Sequence, residues 1–169
     1  MRVETARLVL LPFTEGEWTR IASGDRDGRA WADDYPTDGD VLLASLGLLG
    51  RAPAPTDAEP WGPLQVRERE TGLAIGGAGF KGPPDTDGCV EVGYGFAPSA
   101  RGNGYATEAV QALCELAVAS GATAVIAETH VGNGPSERVL ERCGFAVSSR
   151  TDEMTYWRWE PDPQSTSLR

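Results

Sequence analysis

Residues 91–110 read EVGYGFAPSARGNGYATEAV, and this stretch decides how the chain folds. Val92, Tyr94 and Phe96 alternate with Glu91, Gly93 and Gly95, the period-two pattern of a strand with one apolar face. Past the loop, Ala106, Ala109, Val110, Leu113 and Ala117 recur at helical spacing. A strand therefore feeds a helix through a turn that holds Arg101, Gly102 and Gly104. The first amides of such a helix have no internal acceptor, and its dipole puts partial positive charge there. Glycine lets the backbone approach a ligand closely, and Arg101 adds a full charge. The turn suits an anion, and a pyrophosphate fits it. Its spacing is neither GxGxxG nor GxxxxGK[ST], so neither a dinucleotide-binding unit nor a P-loop is indicated. A turn built only for structure accounts for the same letters.

Working outward, residues 7–11 read as a strand ended by Pro12, and Thr14 can cap a short helix reaching 22. Residues 25–40 form a polar loop, with Asp40 as the expected cap of a helix over 41–49. Residues 64–69 and 73–80 flank the turn ETG and predict a hairpin. The DTDG segment, with Asp85 and Asp87, reads as a turn. On the C-terminal side a strand over 124–129, a helix over 135–143 and strands over 145–149 and 154–159 complete the chain. Trp157 and Trp159 belong to the core or to an interface. Strands before one long helix, then strand–helix–strand–strand, describe an α+β fold: a mixed sheet with helices packed on it.

Composition narrows the function classes. The chain has 169 residues, 40% of them apolar, and a net charge of -10 from 15 basic and 25 acidic side chains. That length suits one domain, expected over 1–160 with a flexible tail at 161–169. An acidic surface lacks the term that drives binding to nucleic acid or to anionic membranes. VLLASLGLLG, at 41–50, is too short to span a bilayer, and the first residues show no secretory pattern. Cys89, Cys114 and Cys143 are far apart, and there is one histidine. No metal site is expected, and reduced buried cysteines fit a cytoplasmic protein.

A second constellation lies at 133–145, NGPSERVLERCGF. Ser136, Val139, Leu140 and Cys143 fall at i, i+3, i+4 and i+7, so Ser136 shares the buried stripe of a helix. Its hydroxyl faces inward, either bonding its own helix or aimed at a ligand.

With both stretches in hand, the chain resembles the GNAT-type N-acetyltransferases, in particular the subgroup that acetylates ribosomal-protein alanine or serine N-termini. RGNGYA resembles the family's pyrophosphate loop [QR]-x-x-G-x-[GA], and ETARLVLLPFTEGEW resembles the subgroup's first strand and helix. The resemblance implies a twisted, mostly antiparallel sheet of six to seven strands with a splayed central pair, flanked by about four helices. It implies acetyl-CoA as cofactor, with backbone at Phe96 and Ala97 pairing with pantetheine. Arg101, Gly102, Asn103, Gly104, Tyr105, Ala106 and Thr107 would cradle the pyrophosphate, and Asn133 and Ser136 would lie along the pantetheine or near its sulfur. The family's tyrosine acid falls on Leu140 here, so the resemblance leaves proton donation to Ser136 or a water it holds, or to no donor at all.

An amine must be neutral to attack a thioester, so a base helps. Glu91 is the best candidate, because Gly93 and Gly95 leave open space beside it on the same strand face. Glu128 is the runner-up, and His130 titrates in the right range. In WADDYPTDGD, Trp31 and Tyr35 can stack on a cation that Asp33 and Asp34 attract. A solvated glutamate and a solvated loop explain the same residues. The expected activity is acetyl transfer to a protein or peptide N-terminal amine or a small amine, by a monomer or homodimer. Two alternatives stay open: a small polycationic acceptor such as a polyamine or aminoglycoside, and a non-catalytic acyl-CoA sensor.

Overall fold

Eight short extended segments build one sheet, and helices pack on it. The computed structural model describes residues 1–162, so most of the expected tail at 161–169 lies outside the described residues. The strands are β1 (Val3–Glu4), β2 (Leu8–Pro12), β3 (Pro63–Glu68), β4 (Ala74–Phe80), β5 (Cys89–Phe96), β6 (Ala124–His130), β7 (Ala146–Arg150) and β8 (Met154–Trp159). The helices are α1 (Glu15–Ser23), α2 (Asp38–Leu48), α3 (Tyr105–Ala119) and α4 (Gly134–Arg142). Strand order is β1-β2-β3-β4-β5-β6-β8-β7. All neighbours are antiparallel except β5 and β6. The sheet has eight strands where six to seven were expected; the extra one is the two-residue β1, too short to leave a period-two pattern.

Local chemistry sets the boundaries. Thr14 caps α1 in a reciprocal capping box with Glu17. The second helix starts earlier than expected, because its cap is Thr37 and not Asp40. Asp40 is the third residue of the helix, and its carboxylate accepts the Thr37 N–H at 2.9 Å while the Thr37 hydroxyl accepts the Asp40 N–H at 3.4 Å. The two aspartates of KGPPDTDG do make a turn: Asp85 Oδ1 accepts the N–H groups of Asp87 and Cys89, both at 2.9 Å.

The core runs through the sheet. Leu8, Leu10, Leu64, Val66, Val90 and Val125 meet Val110, Leu113 and Ala117 of α3, all of them buried. Truncating one such leucine to alanine costs about 2–5 kcal/mol. The three cysteines are free and buried. Burial pushes the Cys114 thiol well up and the Cys143 thiol to about 11, so both stay protonated and inert at neutral pH. Trp157 is buried, its indole donating to Thr129 Oγ1 at 3.0 Å. No helix among the described residues is long and apolar enough to cross a membrane.

Candidate active site

Parallel pairing of β5 with β6 lasts three rungs: Cys89 with Ala124, Val90 with Val125, Glu91 with Ile126. Beyond Glu91 the strands part, and the edge of β5 from Val92 to Phe96 loses its strand partner. Tyr94 reaches across the gap and its hydroxyl donates to the Ser136 carbonyl at 3.2 Å. The gap forms a cleft of about 220 Å³ lined by Val92, Glu128, His130, Asn133, Ser136 and Leu140, among others. On the α2 side of the sheet lies a larger cavity of about 450 Å³, walled by Asp40, Leu43, Leu46, Arg51 and Phe80. Its floor is bare sheet, because Gly77 stands opposite Gly95 and Gly79 opposite Gly93. Lys81, Gly93 and Tyr94 line both spaces and mark where they meet.

The turn before α3 presents unpaired amides. Gly102 and Gly104 take positive φ of 77° and 79°, open to glycine and strained for other residues. No side chain caps α3, and its first internal bond is Glu108 N–H to the Gly104 carbonyl. The Asn103 side chain closes the turn by donating to the carbonyls of Ala100 and Arg101 at 3.2 and 3.3 Å. Arg7, from the start of the chain, adds a second guanidinium. It donates to the Asn103 carbonyl at 2.8 Å, lies 4.7 Å from the Tyr105 ring centre and pairs with Glu108 at 2.7 Å. The Tyr105 hydroxyl is bonded to Glu68, so this residue offers only its backbone to the turn.

A model of the acetyltransferase (GNAT) domain matches residues 7–146. The chain belongs to the GNAT acetyltransferase family. The uncharacterized N-acetyltransferase YjdG of Bacillus subtilis (strain 168) is 33% identical over 84 residues, 49% of this chain and 50% of its own. The chain thus spans about half the length of the curated relative it matches. In structure it is similar to a GNAT-family acetyltransferase from Bacillus anthracis, with TM-score 0.69, 19% identity and 95% and 98% of the two chains covered. It is also similar to RimL, a ribosomal L7/L12 alpha-N-protein acetyltransferase in complex with coenzyme A, with TM-score 0.68, 16% identity and 96% and 99% covered. At these identities the two structures establish the fold.

Within this GNAT domain the expected site residues divide. Asn133 caps α4, its side chain accepting the Ser136 N–H at 3.4 Å, and both residues line the cleft. Among the described residues no group hydrogen-bonds the Ser136 hydroxyl. The exposed turn residues Arg101, Gly102, Asn103 and Gly104 face solvent, with Ala106 and Thr107 in the first turn of α3. Arg101 folds back, its Nε donating to the Phe96 carbonyl at 3.0 Å. The Ala97 N–H donates to Ile75 and its carbonyl accepts from Ala100, both at 2.9 Å. The unpaired edge therefore begins at Val92, earlier than the two positions named from the resemblance.

The segment 31–35 lines neither space. Trp31 and Tyr35 are buried and packed edge-to-face, with Trp31 bridging to Ala74. Asp34 accepts from the Ser99 hydroxyl and N–H at 2.6 and 2.7 Å, bonds that hold its carboxyl below the usual range. Asp33 is exposed. These residues brace the loop ahead of the turn; an aromatic–acidic run looks the same in sequence whether it faces a ligand or its own chain.

Glu91 sits on the last paired rung and lines neither space itself. It is ion-paired with Lys81, whose ammonium also lies 2.9 Å from Glu128 across the gap. Burial alone would lower the Lys81 pKa, but its hydrogen bonds to Glu91 and Glu128 outweigh that and hold it above the usual range. Burial raises the Tyr94 hydroxyl to about 12, so it stays a neutral donor. Lys81 and Tyr94 escaped the sequence reading. Lys81 is the one lysine in the chain, which is the signal that marks it out.

Proposed function

We propose that this protein moves the acetyl group of acetyl-CoA onto a primary amine, by direct attack with both partners bound. The parting of β5 and β6 after Glu91 carries the reading, because it joins the cleft beside Ser136 to the cavity beneath α2. The residues present fit the cofactor. Uncapped amides of α3 and two nearby guanidiniums suit a pyrophosphate, and the bare edge of β5 suits an extended amide-bearing chain. Bound there, acetyl-CoA supplies a thioester carbonyl as the electrophile.

Arg101 and the backbone from Gly102 to Thr107 would hold the diphosphate, and Asn133 and Ser136, which line the cleft, would border the acyl end of the cofactor. To reach it, Arg101 would leave the Phe96 carbonyl. Glu91, with Glu128 sharing its lysine, takes the proton from the incoming amine. Ser136, or the Tyr94 hydroxyl on β5 that bonds its carbonyl, would donate toward the departing sulfur; a thiol with a pKa of about 8.5 needs little help. The amine enters over the glycine floor from the α2 side. That cavity carries one carboxylate, Asp40, against Arg51 and Lys81. It is no magnet for a polycation, so an amine on an apolar or peptide body fits better than a polyamine.

A panel of peptide N-termini and small amines, read by mass spectrometry for one added acetyl group, tests the proposal. Acetyl-CoA should raise the melting temperature by mass action on the folded state. No rise at millimolar ligand removes the cofactor; a rise without turnover on any amine favours an acyl-CoA sensor.

A further inference from the structure

Lys81 occupies the position that an acceptor amine is expected to reach. It follows β4 directly, anchored by its own N–H to the Glu91 carbonyl at 2.9 Å. Its side chain is half exposed, so it is open to reagents. It lines both the cleft and the larger cavity, a place shared only with Gly93 and Tyr94 among the lining residues of both. Its ammonium is gripped by Glu91 from β5 and Glu128 from β6, the two carboxylates best placed to accept a proton at the junction. Two carboxylates around one primary amine are what the proposed reaction needs for its acceptor, and the chain supplies that amine itself.

We infer that the protein acetylates its own Lys81, an inference that rests on the acetyl-CoA reading above. The ε-nitrogen forms an amide bond to the acetyl carbonyl carbon, and the carbon–sulfur bond breaks with its electron pair leaving on sulfur. The ammonium first gives one proton to solvent by way of Glu91 or Glu128, which frees the attacking lone pair. The second proton leaves nitrogen as the amide forms and passes through the same carboxylates to the departing sulfur. The product is a neutral N-acetyl-lysine and free coenzyme A. Loss of the ammonium frees both glutamates from their shared partner, so modification changes the charge at the junction.

The same grip makes the reaction slow at neutral pH. A lysine of ordinary pKa is neutral in about one molecule per 2,500 at pH 7, and this one less often. Tethering offsets this, since well-oriented intramolecular reactions reach effective molarities of about 10⁵ M or more. The carboxylates against the ammonium are Glu91 and Glu128; Tyr94, whose hydroxyl donates to the Ser136 carbonyl, and His130 line the same cleft. Below the lysine pKa, the rate should climb about tenfold per pH unit.

Purified protein incubated with acetyl-CoA should gain one acetyl group, mapped by peptide sequencing to Lys81. The first-order rate should be independent of protein concentration and should rise with pH. Gly104→Glu, which disables the phosphate turn, should lose the modification, and Lys81→Arg should never acquire it. Equal acetylation of the Gly104→Glu protein would mean solution chemistry and overturn the inference, as would an acetyl group on the Met1 amine alone. A readout free of turnover uses protein labelled with ¹³C-lysine, which gives one side-chain signal. Coenzyme A without the acetyl group should shift that signal, and an unmoved signal at saturating coenzyme A overturns the placement. If added amines are acetylated while Lys81 stays unmodified at about pH 9, this inference falls and the function stands. If acetyl-CoA does not bind, both fall.

Discussion

The two spaces that meet at Lys81 were built by different means. The cleft beside Ser136 comes from sequence-adjacent signals: a strand, a glycine turn, a helix, then a second strand and a capped helix. The larger cavity draws its walls from α2, from residues 51–53 and from glycines on two strands. No run of residues announces it. The difference teaches that, on the reading proposed above, the space for the cofactor is written into local turns and caps, while the space for the acceptor is assembled from elements far apart in the chain.

Substitutions can break that contrast. Gly104→Glu should act on the cofactor side alone and most strongly. A side chain there is forced into positive φ, meets Arg7 at 3.4 Å and adds negative charge to the anion turn. Coenzyme A affinity by calorimetry should drop roughly a hundredfold or more, about 3 kcal/mol. Unchanged affinity would detach the turn from the cofactor.

Glu91→Gln acts at the junction. Turnover at neutral pH should fall about a hundredfold, the scale of a general base. The deficit should shrink as pH approaches the pKa of the acceptor amine. A wild-type profile would move the role to Glu128, for which Glu128→Gln is the paired measurement.

Gly95→Leu should sharpen the contrast from the other side. A Cβ at Gly95 meets nothing within 4 Å, so a side chain there starts into the larger cavity. We expect kcat/KM for the amine to fall about tenfold with coenzyme A affinity little changed. A matching loss of coenzyme A affinity would show that the two spaces are not separable.

The smallest effect concerns support. Glu108 accepts from Thr5 Oγ1 at 2.5 Å and from the Arg7 N–H and Nε at 2.7 Å each. Burial would raise its carboxyl, but these bonds win and hold it below its ordinary value. A depressed folded-state pKa means the contribution is present above the unfolded value and is lost as pH falls through the folded one. Glu108→Gln should lower stability by about 1–2 kcal/mol at pH 7. In denaturant titrations the gap to wild type should close on acidification; a gap constant with pH would show that ionised Glu108 adds nothing.

Most of the fold was legible because its signals are local. Thr14 capped α1 as its hydroxyl and Glu17 require, and α3 buried the stripe that its spacing announces. The misread start of α2 shows the limit. Thr37 and Asp40 both bear capping side chains, and which one caps depends on where the backbone turns helical. Trp31 and Tyr35 show it again: aromatic residues beside aspartates suit a binding loop or a packed brace, and only their neighbours decide. Lys81 was passed over because its partners are ten and forty-seven positions away.

From its residues alone this chain specified the strand–turn–helix that opens bare amides, the helix that carries Ser136 and the family to which they belong. Those follow from hydrogen bonds and periodicities spanning a few residues. Tertiary structure alone decided where β5 and β6 part, that the glycines of two strands face one another beneath α2, and that the chain's one lysine lies between two glutamates where the cavities join. Such features depend on register between strands, which no single stretch of sequence contains.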